Sequence, residues 1–517
     1  MKLKRQSLVS QGSLNRMLQA AEQAWQLKDF QQNIEILERA SRLDPANATI
    51  LMQLGRVHGL RYNYADAERY FDRAISFAPR KTEALATAGR MCLDFTSHQL
   101  AEKYFQRALE QKDVSPEALV KLAELYERLR RLDEAAALID RALQANNTYA
   151  PALLAQARLH RQAGHLEDAE RLLRSVPTTA EREVRIRCFY ELGGVLDRLG
   201  RFDEAMSAFL EAKALLSPDA PPLFPQWQAV RGYWGALQSN ISAEILKRWS
   251  DFGPALSPAR RIAFLGGYPR SGTTLLEQVL DSHPDIVSAE ETTIFHDDAY
   301  MPLARNFPPG ASMLSGLESA PGDGLRQSRE NYFRTAELHL GQPVGTRLLI
   351  DKNPSINFLI PAFIRVFPEI KLLVALRDPR DVCLSCFMQA HFPLSKGSVA
   401  YLSLENTVEA YIGVMGLWRT LAPLIANPWL EVRYEDVVDD LEAASRRVLD
   451  FLGVPWDPRV LRFDEHARSK RVRSPTYADV AQPVFKRARG RWLNYQKYFE
   501  PHLTKLEPFA KAFGYEV

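Results

Sequence analysis

A short turn between an apolar segment and a helix-forming segment carries the first residues that could do chemistry. Gly267-Tyr-Pro-Arg-Ser-Gly272 follows the apolar run RIAFLGG, and Thr273 and Thr274 then open the segment LLEQVLDSH. Glycines at this spacing let successive N–H groups point at one anion, and the dipole of the following helix adds to the attraction. ATP-binding loops of this kind carry a lysine after the second glycine, whereas Thr273 stands there and Arg270 lies inside the loop. The turn predicts a phosphate loop for a ligand with less charge than Mg-triphosphate; for the turn alone, a plain strand–turn–helix is the alternative.

The sequence around this turn resembles the loop of a known enzyme family. PRSGTTLLEQVLDSHP is similar to the 5′-phosphosulfate loop of sulfotransferases, especially protein-tyrosine sulfotransferases. These enzymes transfer the sulfuryl group of 3′-phosphoadenosine 5′-phosphosulfate (PAPS) to a hydroxyl, so the resemblance implies PAPS as co-substrate. It also implies that the 5′-phosphosulfate contacts Arg270, Thr273, Thr274 and the N–H groups of Ser271 and Gly272.

A second signature of the family is a strand that ends in arginine, with a serine eight residues later, for the 3′-phosphate. The segment LLVALRDPRDVCLSCF supplies Arg377 and Ser385, about 107 residues after Arg270. A guanidinium and a hydroxyl together suit a phosphate dianion. The resemblance extends over roughly residues 260–517.

The resemblance also implies the catalytic base. In the tyrosine enzymes a glutamate is second in a Glu-Glu-Thr triplet, 21 positions after the loop arginine, and Glu291 occupies that place here. It would take the proton of the acceptor hydroxyl. Without this spacing, Glu291 would be an exposed carboxylate at the start of the next helix. Glu290 is the next choice of base, and His283 is a chemically possible one.

Three further residues match the family. Lys352 in LLIDKNPS resembles the lysine placed on the bridging oxygen of the departing phosphate, so Glu291, Lys352 and Arg270 are the predicted catalytic residues. Tyr434 in VRYEDVV matches a tyrosine that packs on adenine, and Lys505 matches a nucleotide-binding lysine. The alternatives are a polar strand end, a core aromatic and a solvated basic face, respectively.

Two positions depart from the tyrosine enzymes. Gly490 stands where they carry a serine, and Gln389 stands where they carry an arginine for the 3′-phosphate. Near Gly490, Lys486 and Arg487 could reach the 3′-phosphate, with an exposed basic face as the alternative.

The residues before this region form a repeat. In a 34-residue frame aligned on Leu54-Gly55, a small residue is followed four positions later by a larger apolar one. The small residues are Ala67, Ala101, Ala135 and Ala169, and Ala205, which follows after 36 residues. Each unit predicts two amphipathic helices that cross closely at the small residues. The pattern resembles the tetratricopeptide repeat (TPR), with about six units over residues 14–216. Such repeats usually offer a surface for a peptide or protein partner.

The chain changes character after the repeats. SPDAPPLFP, with four prolines in nine residues, begins a predicted Pro-rich linker with a connecting helix at 217–259. From residue 260 to 517, runs such as KLLVALRD are typical of buried parallel strands, with helical segments between them. The predicted fold is therefore an N-terminal all-α TPR solenoid followed by an α/β sulfotransferase domain with a parallel sheet. This arrangement resembles the bacterial TPR sulfotransferases.

Composition narrows the class of protein. Hydrophobic residues make up 46% and charged ones 25%, as in folded soluble proteins, and no apolar run reaches the ~18–20 residues of a membrane span. A net charge of +3 does not indicate a nucleic-acid partner. Four cysteines are too few for a disulfide framework, so we expect a reducing, cytoplasmic location. Cys383 and Cys386 are expected to be a buried pair, and no metal site is predicted.

Together these features predict a PAPS-dependent sulfotransferase that works by in-line displacement. Its acceptor would be a tyrosine in a peptide or protein held by the repeats, or else a carbohydrate or small-molecule hydroxyl. A TPR scaffold with an inactive nucleotide-binding domain is a further alternative, but Arg270, Glu291, Lys352, Arg377 and Ser385 are all present. A kinase is disfavoured, because the loop lysine and a clear strand-end aspartate for Mg²⁺ are both missing.

Overall fold

The protein is described by a computed structural model that covers residues 2–111, 114–469 and 488–516. The chain forms two compact units, Met1–Pro177 and Thr178–Val517. The boundary between the units lies before residue 216, the predicted end of the repeats, so that the last helical hairpin before 216 belongs to the second unit. No helix in the described part of the chain is long and apolar enough to cross a membrane.

The first unit consists of antiparallel helix pairs, as the repeat pattern predicts. Its helices are α1 Lys2–Gln26, α2 Phe30–Leu43, α3 Ala48–Leu60, α4 Tyr64–Phe77, α5 Lys81–Asp94, α6 His98–Leu109, α7 Pro116–Arg128, α8 Leu132–Ala145, α9 Ala150–Ala163 and α10 Leu166–Ser175. Small residues are needed at the crossings: a Cβ on Gly55 would lie 2.5 Å from the ring of Phe71, and one on Gly89 would lie 2.8 Å from that of Phe105.

The turns between paired helices repeat a backbone conformation with the same 34-residue period. Lys28, Tyr62, Thr96 and Arg130 all have positive φ, between 57° and 63°, and they are 34 residues apart. A left-handed residue at this point lets the chain reverse between two helices, as it does at a helix C-terminus. The fifth turn uses Gly164, for which this backbone conformation carries no steric cost.

The second unit begins with the hairpin α11 Arg182–Arg198 and α12 Phe202–Leu216. The predicted linker is largely helical: α13 Phe224–Asn240 and α14 Ala243–Phe252 replace the single connecting helix that the sequence predicts. The chain breaks between them because Ser242 caps α14, accepting a hydrogen bond from the N–H of Ile245.

The core of the second unit is a five-stranded parallel sheet, which confirms the predicted fold class. Its strands are β1 Ile262–Gly267, β2 Ile286–Glu290, β3 Leu348–Lys352, β4 Lys371–Leu376 and β5 Trp429–Arg433, in the order β2-β3-β1-β4-β5. In a parallel sheet the carboxyl ends of all strands meet at one edge. The phosphate loop, Glu291, Arg377 and Tyr434 follow directly after β1, β2, β4 and β5, and Lys352 ends β3.

Helices surround this sheet and complete the domain. They are α15 Thr273–Asp281, α16 Met301–Ala304, α17 Met313–Ser319, α18 Gly322–Leu340, α19 Ile360–Val366, α20 Pro379–Phe387, α21 Leu404–Leu421, α22 Tyr434–Asp439, α23 Leu441–Leu452 and α24 Phe463–Ser469, with Gln496–Phe499 and Leu503–Ala512 near the C-terminus.

Candidate active site

The loop after β1 has the backbone of an anion-binding turn. Gly267 and Gly272 have φ of +131° and +95°, and Gly272 directly precedes α15. A Cβ on Gly267 would collide with the carbonyl oxygen of Ala375, so glycine is required where β1 and β4 run side by side. The N-terminus of α15 faces the end of the loop, where unpaired N–H groups attract an anion.

Two buried polar atoms at this edge have no hydrogen-bond partner among the described residues. They are Oγ of Ser271, in the phosphate loop, and Nε of Arg377, at the end of β4. Ser271 is 2% exposed and Arg377 is 7% exposed. Leaving a buried donor unpaired costs about 1–3 kcal/mol. An anionic ligand at this edge would supply the missing acceptors, so the residues fit a bound nucleotide.

The structure brings the residues of the two predicted phosphate signatures together. The Arg270 Nε donates to Oγ of Ser385 at 3.0 Å, and the Arg377 Nη1 donates to the carbonyl oxygen of Arg270 at 3.2 Å. Arg270 has a φ of +71°, which costs free energy for a side chain with a Cβ. Strain of this kind persists where the surrounding structure holds it, and it is concentrated at functional sites.

Tyr434 lies against both loops. A Cβ on Gly272 would be 2.7 Å from its ring, and the guanidinium of Arg377 lies 5.2 Å from its ring centre. Tyr434 also lines a cleft with Ser271 and Val432. The ring therefore lies beside both predicted phosphate signatures; its stacking on adenine stays a prediction.

Lys352 lies between the phosphate loop and the Glu-Glu-Thr triplet. The β2–β3 register places Glu290 opposite Lys352, and the N–H of Glu291 donates to the carbonyl oxygen of Lys352 at 2.7 Å. The Lys352 ammonium donates to Oε1 of Glu291 at 2.7 Å and to Oγ1 of Thr274 at 3.3 Å, and Oε1 of Glu290 lies 3.5 Å away. Lys352 is fully buried.

The carboxylates keep this buried lysine charged. Burial alone would lower the pKa of Lys352, but the neighbouring Glu291, Glu290 and Glu277 outweigh it, so that the pKa is raised. A cation at this position faces the start of α15, where a phosphate group would lie. Its charge would stabilise negative charge that develops on a departing phosphate oxygen.

Exposure distinguishes the candidate bases. The side chain of Glu291 is 34% exposed, whereas the side chain of Glu290 is only 3% exposed. The backbone of Glu291 has a φ of +48°. Both ring nitrogens of His283 are used within the fold: Nε2 lies 2.8 Å from the carbonyl oxygen of Pro455, and Nδ1 accepts from the N–H of Asp285. Of the two carboxylates, Glu291 is thus the one whose side chain is accessible from outside the fold.

Lys505 is the predicted site residue that the structure does not bring into this group. It lies on the helix Leu503–Ala512, and its ammonium pairs with Glu409 of α21 at 2.8 Å. Its role in nucleotide binding stays a prediction. Lys486 and Arg487 lie outside the described residues.

Two residues outside the predicted site hold the loops in place. Asn357 accepts from the N–H of Gly267 at 3.2 Å and donates to the carbonyl oxygen of the same residue. Asp381, four residues after Arg377, is 3.6 Å from its Nη2 and also accepts from the N–H groups of Gly490 and Trp492. The spacing of four residues between Arg377 and Asp381 is a sequence feature that indicates a contact between their side chains. No comparable sequence feature points to Asn357.

Asp381 also explains how the chain accommodates Gly490. Gly490 has a φ of +65°, and its N–H group donates to Oδ2 of Asp381 at 2.7 Å. The residue therefore holds the C-terminal segment beside the Arg377 loop through its backbone. Gln389 follows α20, where its N–H donates to the carbonyl oxygen of Cys386.

The cysteines of α20 and the candidate metal ligands lie in different compact units. Cys383 and Cys386 are buried and free, which confirms the predicted buried pair, and Sγ of Cys386 donates to the carbonyl oxygen of Pro269. In the described part of the chain, the one cluster with metal-ligand distances is His160, His165 and Asp168, in the first compact unit.

Comparison with known proteins identifies both modules. Residues 263–458 match the model of the sulfotransferase family. Tetratricopeptide-repeat models match residues 47–78, 93–150, 130–187 and 186–215. The family matches thus fall on the helical repeats and on the parallel sheet with the loops described above.

Individual relatives are distant. An uncharacterized protein of Aquifex aeolicus is 25% identical over 67% of this chain, but this chain spans only 44% of that protein's length. Protein-tyrosine sulfotransferase 1 of Danio rerio is 26% identical over 49% of this chain and 72% of its own. A solved sulfotransferase domain of the Synechococcus PCC 7002 olefin synthase is 23% identical over 50% of this chain and 97% of its own, with a TM-score of 0.36. Within this chain, residues 263–458 thus match the sulfotransferase family and stretches between 47 and 215 match tetratricopeptide repeats.

Proposed function

We propose that this protein is an enzyme that transfers the sulfuryl group of PAPS to an acceptor hydroxyl. The observation that supports this most is the grouping of two orphaned polar atoms, two arginines and a Lys–Glu pair at one edge of the sheet. Arg270, Ser271, Gly272, Thr273 and Thr274 would hold the 5′-phosphosulfate in this proposal. The other end of the nucleotide would lie on the second loop, with Arg377 and Ser385 at the 3′-phosphate and Tyr434 at the adenine.

The reaction is an in-line displacement at sulfur. Glu291 takes the proton of the acceptor hydroxyl, the hydroxyl oxygen forms a bond to sulfur, and the bond from sulfur to the 5′-phosphate oxygen breaks. Lys352 stabilises the negative charge that develops on that phosphate oxygen. Because the Lys352 ammonium already lies 2.7 Å from Glu291, the base and the leaving-group cation are held side by side by one ion pair.

A tyrosine in a peptide or protein is the acceptor that we favour. The relative from Danio rerio is named for protein-tyrosine sulfation, and tetratricopeptide repeats often bind peptides. A carbohydrate or small-molecule hydroxyl is the alternative acceptor class.

The test is to incubate the full chain with PAPS and two acceptor pools, tyrosine peptides and oligosaccharides, and to analyse both by mass spectrometry. We expect a mass increase of one sulfo group on tyrosine peptides, absent with Glu291→Gln. Sulfation confined to the oligosaccharides would replace the tyrosine acceptor. No sulfation of any acceptor, together with no binding of the nucleotide, would contradict the proposed function itself.

A further inference from the structure

The second compact unit contains a hairpin of the repeat type, α11 and α12, that contacts the sulfotransferase domain directly. Near the end of α11, the carboxylate of Asp197 accepts from the hydroxyl of Tyr495 at 2.6 Å and pairs with Nη2 of Arg491 at 2.8 Å. Its side chain is only 14% exposed, and Tyr495 is fully buried with its ring 5.4 Å from that of Phe202. The contact is therefore a largely buried, hydrogen-bonded ion pair rather than a solvent-exposed surface pair.

Residues 488–495, which Asp197 contacts through Arg491 and Tyr495, are also bound to the loop that carries Arg377. The N–H groups of Gly490 and Trp492 donate to the two oxygens of Asp381, at 2.7 Å and 2.9 Å. The same carboxylate is 3.6 Å from Arg377, and Arg377 donates to the carbonyl oxygen of Ala488. Residues 488–495 thus connect the repeat hairpin to the arginine that we place on the 3′-phosphate.

The second helix of the hairpin reaches the phosphate loop. Lys213 on α12 is 3% exposed, and its Nζ donates to the carbonyl oxygen of Tyr401 at 2.6 Å. The hydroxyl of Tyr401 donates to that of Tyr268, which lies inside the loop after β1. One hairpin therefore contacts the structures that carry both predicted phosphate sites.

We infer that this hairpin is part of the nucleotide site and that Asp197 is a positioning residue for the 3′-phosphate clamp. The inference rests on the proposed function, because it assigns Arg377 to the 3′-phosphate. Asp197 acts through Arg491 and Tyr495. These two residues fix the backbone of the 488–495 segment, to which Asp381 and Arg377 both form hydrogen bonds. Without it, the segment and the guanidinium lose a common anchor, and selectivity for the 3′-phosphate should fall.

The experiment measures binding of two nucleotides to the full chain by titration calorimetry: adenosine 3′,5′-bisphosphate and adenosine 5′-monophosphate. The quantity of interest is the ratio of the two dissociation constants. For Asp197→Ala we expect this preference for the bisphosphate to fall about 5- to 150-fold, the range typical of coupling between two sites. Affinity for the monophosphate should stay unchanged.

Matched variants make the result specific. Asp203→Ala is the control: this exposed carboxylate on α12 pairs with Lys497 and Tyr498, which come after residues 488–495 in the chain. It should leave the ratio unchanged. Arg491→Ala removes the same contact from the other side and should reproduce the loss, so the test survives if Asp197→Ala does not fold. Asp197→Asn keeps the acceptor for Tyr495 and should recover part of the preference.

Each outcome decides the inference. An unchanged ratio in both Asp197→Ala and Arg491→Ala would overturn it while leaving the proposed function standing. Equal weakening of both nucleotides would overturn it as well, since that result indicates a general loss of structure. A wild-type chain without any preference for the bisphosphate would refute the proposed function and this inference together.

Discussion

Replacing Glu291 by glutamine tests the assignment of the base most sharply. The change removes the negative charge but keeps the length of the side chain at a backbone position with φ of +48°. Loss of a general base typically lowers kcat by about 10²–10⁴-fold, which corresponds to roughly 3–5 kcal/mol of activation free energy. Binding of PAPS should change little, because Glu291 is placed at the acceptor side of the reacting sulfur.

The effect of this change on stability should be small. Glu291 is one-third exposed, and a partly exposed ion pair contributes about 0–1 kcal/mol. Lys352 also keeps Glu290 within 3.5 Å, so its buried charge is not left alone. The free energy of unfolding of Glu291→Gln should therefore stay within roughly 1 kcal/mol of the wild type.

Glu290→Gln is the matched control, since it changes the adjacent carboxylate on the same lysine. Glu290 is only 3% exposed, so this variant should lose about 1–3 kcal/mol of stability while keeping more of its turnover. Single-turnover rates with saturating PAPS and urea unfolding curves measure the two quantities separately. The base assignment is refuted if Glu291→Gln retains near-normal turnover, and it passes to Glu290 if Glu290→Gln shows the larger loss of rate.

Further predictions concern the nucleotide, the ion requirement and pH. Arg377→Ala should weaken binding of adenosine 3′,5′-bisphosphate by roughly 10- to 150-fold, the equivalent of 1.5–3 kcal/mol for a charged hydrogen bond; calorimetry showing unchanged affinity would exclude the clamp. Transfer should proceed in excess EDTA, because Arg270, Lys352 and the loop N–H groups supply the positive charge; a strict Mg²⁺ requirement restored by adding the ion would contradict this. Burial lowers the pKa of Lys213 to about 7 from 10.5, so between these values the unfolded chain binds the proton and the folded chain does not. The contribution of Lys213 to stability should accordingly rise with pH across that window, by up to about 1.4 kcal/mol per unit. The difference in unfolding free energy between the wild type and Lys213→Met, recorded at several pH values, measures this contribution.

The sequence predicted the parts of the fold that depend on local pattern. The apolar runs of β1 and β4 and the glycines of the phosphate loop indicated strands and a turn, because burial on both faces and positive φ restrict residue types locally. Their meeting at one edge follows from the parallel sheet. The paired helices of the repeats followed from a 34-residue period that is visible in side chains and turns alike.

The remaining features depend on partners that are distant in the chain. Asp381 is an ordinary helical carboxylate until the fold brings the backbone of Gly490 to it, and Asn357 gains its role only where β1 approaches it. In the same way, Asp197 looks like an exposed residue of a repeat helix, but Tyr495, almost 300 positions later, covers it. No local periodicity encodes such a choice of partner.

The most direct test of the central claim is a calorimetric titration of the full chain with PAPS and with ATP, each with and without Mg²⁺. We expect that PAPS binds whether or not the metal is present, that ATP binds more weakly, and that Arg377→Ala loses most of the affinity for PAPS. Binding of ATP that requires Mg²⁺, with no measurable binding of PAPS, would contradict the account and indicate phosphoryl transfer instead.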